Sequence, residues 1–225
     1  MELAIFDLDN TLLAGDSDYL WGRFLVENGR VDEAAYERQN QIFYDQYRDG
    51  TLDIEAFARF SMAPLAANAM SDLLQWRAQF VEEKIAPIVA PLAPALLEKH
   101  RCQGDVLLIM TATNRFITEP IAELLGIEHL IATEPEMRNG HYTGQLTGIP
   151  NFQAGKVRRL ELWLEEMKLQ TVRTRFYSDS HNDLPLLLKA DEAIAVDPDE
   201  RLRAEAERNG WTIMSLRGSP AQLEA

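Results

Sequence analysis

Cysteine is almost missing from the chain: Cys102 stands alone, so no disulfide can close within it, and a reducing compartment is the expected setting. Long apolar runs are missing too. None approaches the ~20 residues that a membrane-spanning helix requires. From Met1 the chain runs straight into a short apolar segment, without the basic region, apolar stretch and small-residue cleavage site of a secretory leader. These features predict a cytoplasmic protein that does not engage a membrane. Basic residues are scarce: 22 Lys and Arg against 36 Asp and Glu leave a formal net charge of −14. That field repels nucleic acid unless a local basic patch overrides it, and no such patch, repeat or low-complexity tract is visible. What remains is ordinary: 225 residues, 46% hydrophobic and 26% charged, suit one α/β domain with an insertion or two small domains.

Leu3 to Leu8 is a short apolar run that stops in a polar turn, the pattern of a strand buried on both faces of a parallel sheet. Val106 to Met110, Ile127 to Ala132, Arg175 to Ser178 and Ala193 to Val196 read the same way. Helical patterns lie between them: one from the N-cap candidate Asn114 to Leu125, closed by Gly126; one over roughly Ala154 to Leu169; and one opening near His181. Strand alternating with helix predicts a doubly wound parallel sheet. Two segments break the rhythm. Residues 16–87 are almost wholly helical in pattern and predict a helical cap inserted after the first strand, leaving 1–15 and 88–225 as a Rossmann-like core. The aromatic stripes of the cap, Phe43 and Phe57 among them, read as its internal packing. Met137 to Ile149 carries Asn139-Gly140 between alternating residues, a hairpin of the type I′ kind.

The chemistry-bearing residues fall where those strands end. Asp7 and Asp9 follow the first strand, at the sheet edge where open α/β proteins bind ligands, and carboxylates two apart in an extended chain share a side. Thr111 follows the second strand and offers a hydroxyl beside the N–H of Ala112. Lys156, after Gly155, opens a helix, where the dipole disfavours its charge and an anionic partner is expected. Ser178-Asp179-Ser180-His181-Asn182-Asp183 ends a further strand and delivers two more carboxylates to the same edge. Gly155-Lys156 is not a nucleotide-binding P-loop, because Val157 follows the lysine and the preceding glycine spacing is absent.

In this combination the chain resembles the haloacid dehalogenase superfamily, and within it the phosphoserine-phosphatase-like branch. The pattern Asp-x-Asp-x-Thr matches Asp7, Asp9 and Thr11; the hydroxyl residue after the second core strand matches Thr111; the lysine matches Lys156; the acidic pair matches Asp179 and Asp183. The resemblance covers nearly the whole chain. It implies a Mg²⁺-dependent phosphatase acting on a small phosphorylated metabolite, with Asp7 as nucleophile, Asp9 as acid and base, and the metal held by Asp7, the backbone carbonyl of Asp9 and Asp179. Thr111, Ala112 and Lys156 would bind phosphate, with Asp183 and Asn182 supporting them. Mg²⁺ disfavours nitrogen ligands, so His181 is expected to serve structure or substrate contact.

For the substrate, Asp16 aligns with an acidic cap position that in phosphoserine phosphatases, usually as Glu, meets the substrate amine. Arg59 is a candidate for a substrate carboxylate. If no arginine reaches that carboxylate, histidinol phosphate becomes attractive, since it keeps the amine and lacks the acid; histidinol phosphate and phosphoserine are the two leading expectations. Two other outcomes stay open: phosphoryl transfer to an alcohol such as homoserine, and a phosphoacceptor signalling module, which would lack the long helical insertion.

Overall fold

The computed structural model describes residues 2–169 and 173–218. β1 (Leu3–Phe6) is the centre of a seven-stranded sheet. On one side of it run β2 (Val106–Asn114), β3 (His129–Arg138) and β4 (His141–Thr147); on the other run β5 (Thr174–Ser178), β6 (Glu192–Val196) and β7 (Thr212–Met214). All pairs are parallel except β3 with β4, which form the hairpin, with Asn139 at φ 51° and Gly140 at φ 80° as a type I′ turn demands. Strand order reverses direction at β1, so a crevice opens beyond its carboxyl end.

Alternation divides the apolar side chains of β1 between the two faces. Ala4 and Phe6 join one core, built with α1 (Ser17–Glu27), α4 (Met70–Phe80), α5 (Ala93–Gln103) and α6 (Arg115–Leu124). Leu3 and Ile5 join the other, built with α7 (Ala154–Glu166), α8 (Leu184–Leu187) and α9 (Glu200–Asn209). Between α1 and α4 lie α2 (Glu33–Asp49) and α3 (Ile54–Ala67). Trp21 stacks on Phe24, Phe80 meets both edge-on, and Trp21 reaches Phe116 on α6, so the inserted helices rest on the same apolar core as the sheet. Part of the acidity is spent on helix starts: Asp16, Asp32, Asp53 and Asp199 each accept a backbone N–H at an N-cap. No helix among the described residues is long and apolar enough to cross a membrane.

Several boundaries differ from the sequence reading. β1 ends at Phe6, because Leu8–Leu12 curls into one wide turn with Asn10 left-handed at φ 58°. β2 runs on to Asn114 through an irregular register after Met110, carrying Thr111 to Thr113 into the crevice. The helix expected from His181 is only a short 3₁₀ turn followed by α8. The sequence reading leaves out α5, α9 and β7: α5 buries Ala93, Leu96, Leu97 and His100, α9 only Leu202 and Ala206, and β7 is three residues at the sheet edge.

Candidate active site

The ends of β1, β2 and β5 meet in the crevice. Asp7 is buried just past β1, its N–H bonded to the Tyr177 carbonyl at 2.9 Å. The wide turn after it returns Asp9 toward β2 and swings Thr11 across, where its hydroxyl donates to Asp179 Oδ1 at 3.1 Å. Lys156 arrives from the first turn of α7. Its approach depends on Gly155, since a Cβ there would strike the Pro150 carbonyl oxygen. The buried Lys156 ammonium donates to Asp7 Oδ1 and Asp183 Oδ2, each at 2.7 Å, and Ser178 Oγ adds a bond to Asp183 at 2.8 Å. Asp9 is held separately: Ser17 N–H donates to Oδ1 at 2.6 Å and Thr113 Oγ1 to Oδ2 at 2.8 Å, with Thr111 Oγ1 at 3.4 Å. Ala112 lines the same cleft.

The charges do not balance. Asp7, Asp179 and Asp183 face one ammonium, Lys156, which leaves two negative charges uncompensated before Asp9 is counted. Burial, reinforced by Asp183 and Asp9 and only partly relieved by Lys156, pushes the Asp7 carboxyl up to about 7. Burial and the nearby Asp7 raise Asp179 well above the usual carboxylate range. Burial also raises Asp9, against the hydrogen bonds from Ser17 and Thr113. Burial opposes the Lys156 charge, but Asp183 and Asp7 outweigh it and raise that pKa. A divalent cation would remove the excess. Among the described residues no three His, Cys, Asp or Glu side chains form a ready metal cage. That does not disqualify Mg²⁺, which keeps several waters and takes few carboxylates. Asp7, Asp179 and the carbonyl of Asp9 are a hard-oxygen set of the right kind.

From the aspartates the cleft continues between the strand ends and the inserted helices. Its walls are Asp16 and Asp18, the rings of Tyr19, Phe43, Tyr44, Tyr47 and Phe57, and the side chains of Asn40, Leu52 and Ile54. No Lys, Arg or His is among them. Asp16 caps α1 by accepting Tyr19 N–H at 2.8 Å; burial and the Asp9 charge push its carboxyl up to about 7. Asp18 is 7% exposed, and among the described residues its side chain accepts one hydrogen bond, from Asn114 Nδ2 at 3.4 Å. Burial, then Asp16 and Asp9, raises it well above its ordinary value. A helix dipole stabilises an acid in the first turn by ~0.3–1 kcal/mol, which falls short of the several kcal/mol that burying an unpaired carboxylate costs.

Arg59 is not in this cleft. It lies on the exposed side of α3, 3.9 Å from Glu55, beside Gln145 and Leu146 of β4. Helical spacing turns it away from Phe57 and Ala58, which face inward. Arg48 and Arg217 border a second cleft that shares Tyr44 and Tyr47 with the first and is also lined by Asp179.

Asn182 bridges to the inserted helices. Its Nδ2 donates to the Tyr47 carbonyl at 2.9 Å and its Oδ1 accepts from Gln153 Nε2 at 3.1 Å. Two residues further along α2, the Asp49 carbonyl accepts from Arg201 Nη1 at 2.9 Å. Both carbonyls belong to the last turn of α2, where left-handed Gly50 lets the chain pass close to His181. His181 pairs through Nδ1 with Asp199 Oδ2 at 2.7 Å and so braces the loop.

Sequence reasoning missed Thr113, Ser17, Ser178 and Asp18. Thr113 was within reach, since it shares a side with Thr111 by strand alternation. Ser17 acts through its backbone and left no signal in residue type. Phe43 and Phe57 do pack on each other, edge to face at 5.4 Å, yet they also line the cleft.

The family model of the haloacid dehalogenase-like hydrolases matches residues 4–188. A histidinol-phosphatase of Neisseria meningitidis serogroup C is 43% identical over 219 residues, which span 96% of this chain and 99% of that protein. A phosphoserine phosphatase of Mycobacterium tuberculosis is 29% identical over 95% of this chain and 70% of its own length. Among solved structures, a protein of unknown function from Bordetella pertussis Tohama I superposes with a TM-score of 0.89 at 41% identity, covering 95% of this chain and 98% of that one. A phospho-aspartyl intermediate analogue of phosphoserine phosphatase superposes with a TM-score of 0.71 at 18% identity, covering 99% and 97%, a likeness of fold.

Proposed function

The chain belongs to the haloacid dehalogenase-like hydrolases, and from that premise we propose that it is a Mg²⁺-dependent phosphatase of a small amine-bearing, carboxylate-free phosphate ester, histidinol phosphate foremost, working through a phosphoryl group carried on Asp7. The observation that carries the substrate is the cleft wall, which offers acids and aromatic rings to the leaving group and no cation to a carboxylate. Phosphoserine would bring its carboxylate against Asp16 and Asp18 unpaired; histidinol phosphate would bring an ammonium group.

The residues divide the work as follows. Asp7, the carbonyl of Asp9 and Asp179 would hold Mg²⁺, which when bound supplies the positive charge that lets a phosphate dianion approach a carboxylate. Asp7 attacks phosphorus and the bond to the substrate alcohol breaks. Asp9, which burial predisposes to carry a proton, passes it to the departing oxygen. Water then attacks the acyl phosphate, Asp9 takes its proton, and the bond between Asp7 and phosphorus breaks to release phosphate. Thr111 and the Ala112 N–H hold phosphoryl oxygens, and Lys156 favours the ionised form of Asp7 and orients it. Asp183 fixes Lys156, and Asn182 ties this loop to α2. Residues 16–87 serve as the cap over the core of 1–15 and 88–225, shutting water out during transfer.

Phosphate release from histidinol phosphate and phosphoserine, with and without Mg²⁺, tests this reading. Wild-type protein should prefer histidinol phosphate by roughly 100-fold or more in kcat/KM, and Asp7→Asn should show no turnover. Mg²⁺-dependent hydrolysis retained by that variant would remove Asp7 from its role, and preference for phosphoserine would overturn the substrate.

A further inference from the structure

Resting on the amine-ester reading above, we propose that Asp18 determines specificity by receiving a second nitrogen-bearing group of the substrate. The preferred ester then carries an ammonium group for Asp16 and, further from phosphorus, a planar N–H-donating or cationic ring for Asp18.

Three observations lead there. The Asp18 carboxylate is 7% exposed, lines the cleft, and has no ion-pair partner among the described residues. The one hydrogen bond it accepts among them, from Asn114 Nδ2, is at the 3.4 Å limit of such contacts, while Asn114 Oδ1 is committed to Ile117 N–H at 3.3 Å as the cap of α6. A carboxylate kept this way is a hydrogen-bond acceptor waiting for a donor from the cleft. The bland explanation, an acid favoured in the first turn of α1, accounts for the residue type and leaves the burial unexplained.

Second, Asp16 and Asp18 do not duplicate each other. Asp16 is the N-cap of α1, whereas Asp18 lies inside its first turn and reaches toward Asn114 at the end of β2, and side chains two residues apart along a helix do not face the same way. Asp16 already spends one oxygen on Tyr19 N–H. Two acceptors at separate points call for two donors at separate points.

Third, the wall that joins them is aromatic. Phe43 meets Phe57 edge to face at 5.4 Å, and Tyr19 and Tyr44 lie 5.2 Å apart. Ring faces and edges of this kind accept a flat heterocycle and favour it when it is cationic. An ester with an ammonium group alone would fill the Asp16 end and leave Asp18 and the aromatic wall empty.

The test compares Asp18→Asn and Asp16→Asn with wild type in saturating Mg²⁺, on L-histidinol phosphate, phosphoethanolamine and p-nitrophenyl phosphate. The decisive quantity is the ratio of kcat/KM for histidinol phosphate over phosphoethanolamine. Asp18→Asn should lower that ratio roughly 10–100-fold, mostly through KM, whereas Asp16→Asn should weaken both amines and leave the ratio nearly intact. Residual turnover of p-nitrophenyl phosphate reports that each variant is folded. A ratio within ~3-fold of wild type in Asp18→Asn, or an equal loss on all three esters, overturns the assignment. Failure of wild-type protein to hydrolyse any of the three would instead defeat the phosphatase reading on which it rests.

Discussion

Replacing Lys156 with Met keeps most of the side-chain volume beside Phe176 and removes only the buried ammonium, which sits 5.7 Å from that ring centroid. Asp7 and Asp183 each lose a 2.7 Å charge-assisted bond in a region where the lysine itself is 2% exposed. Removing one partner of a buried ion pair costs about 3–5 kcal/mol, because the other charge stays buried without compensation. With a urea m-value of ~2–3 kcal/mol/M, the unfolding midpoint should fall by roughly 1–2.5 M in EDTA at pH 8. Adding Asp183→Asn to this variant should restore part of the loss, about 1–3 kcal/mol, since one of the stranded charges is gone. Mg²⁺ should stabilise Lys156→Met at least as much as wild type, because the cation takes over the missing positive charge. Urea curves followed by tryptophan fluorescence, with and without Mg²⁺, measure all three. A midpoint for Lys156→Met within ~0.3 M of wild type in EDTA would refute the claim that Lys156 is the counter-ion of this cluster.

Thr113→Val removes the 2.8 Å bond to Asp9 Oδ2 with little change of shape. Loss of a hydrogen bond to a charged group is worth ~1.5–3 kcal/mol, so steady-state assays should show kcat reduced roughly 10–100-fold with KM little changed. Asp105 is held below its ordinary value of 3.8: burial opposes its charge, but bonds from His100 and from Glu2 N–H, at 2.9 and 2.8 Å, more than offset it. A depressed folded pKa gives stability that is present above 3.8 and lost as pH falls through the folded value. Asp105→Asn should therefore be destabilised by about 1–3 kcal/mol near neutral pH, with the gap closing as pH falls below 3.8 and through the folded value. Urea midpoints across pH check this, and a gap that persists in acid would contradict the sign.

Much of this architecture was legible from residue pattern, and the exceptions have physical causes. The inner strands announce themselves because both faces are buried, as with Leu3 to Phe6 and Ala193 to Val196. α9 was illegible because its apolar face rests on only two buried residues, Leu202 and Ala206, in an otherwise charged segment. The aspartates, Thr111 and Lys156 could be named because each sits immediately past an apolar run or at a helix start. Asp18 and the wall formed by Tyr19, Phe43, Tyr44 and Phe57 could not, because their meeting depends on how three helices cross, and helical spacing alone assigns such residues to packing. Arg59 shows the converse: its residue type was right for a carboxylate and its helix face was wrong.

The grip of Asn182 and Arg201 on the last carbonyls of α2 means that the ceiling over the substrate and the floor beneath the phosphate are geared together. A displacement of Tyr44 or Tyr47 large enough to let a molecule pass pulls on the stretch that holds Asp179 and Asp183. If the proposed cap opens at these tyrosines, the two bonds would transmit that opening to the loop beside the nucleophile, and closure would restore its alignment.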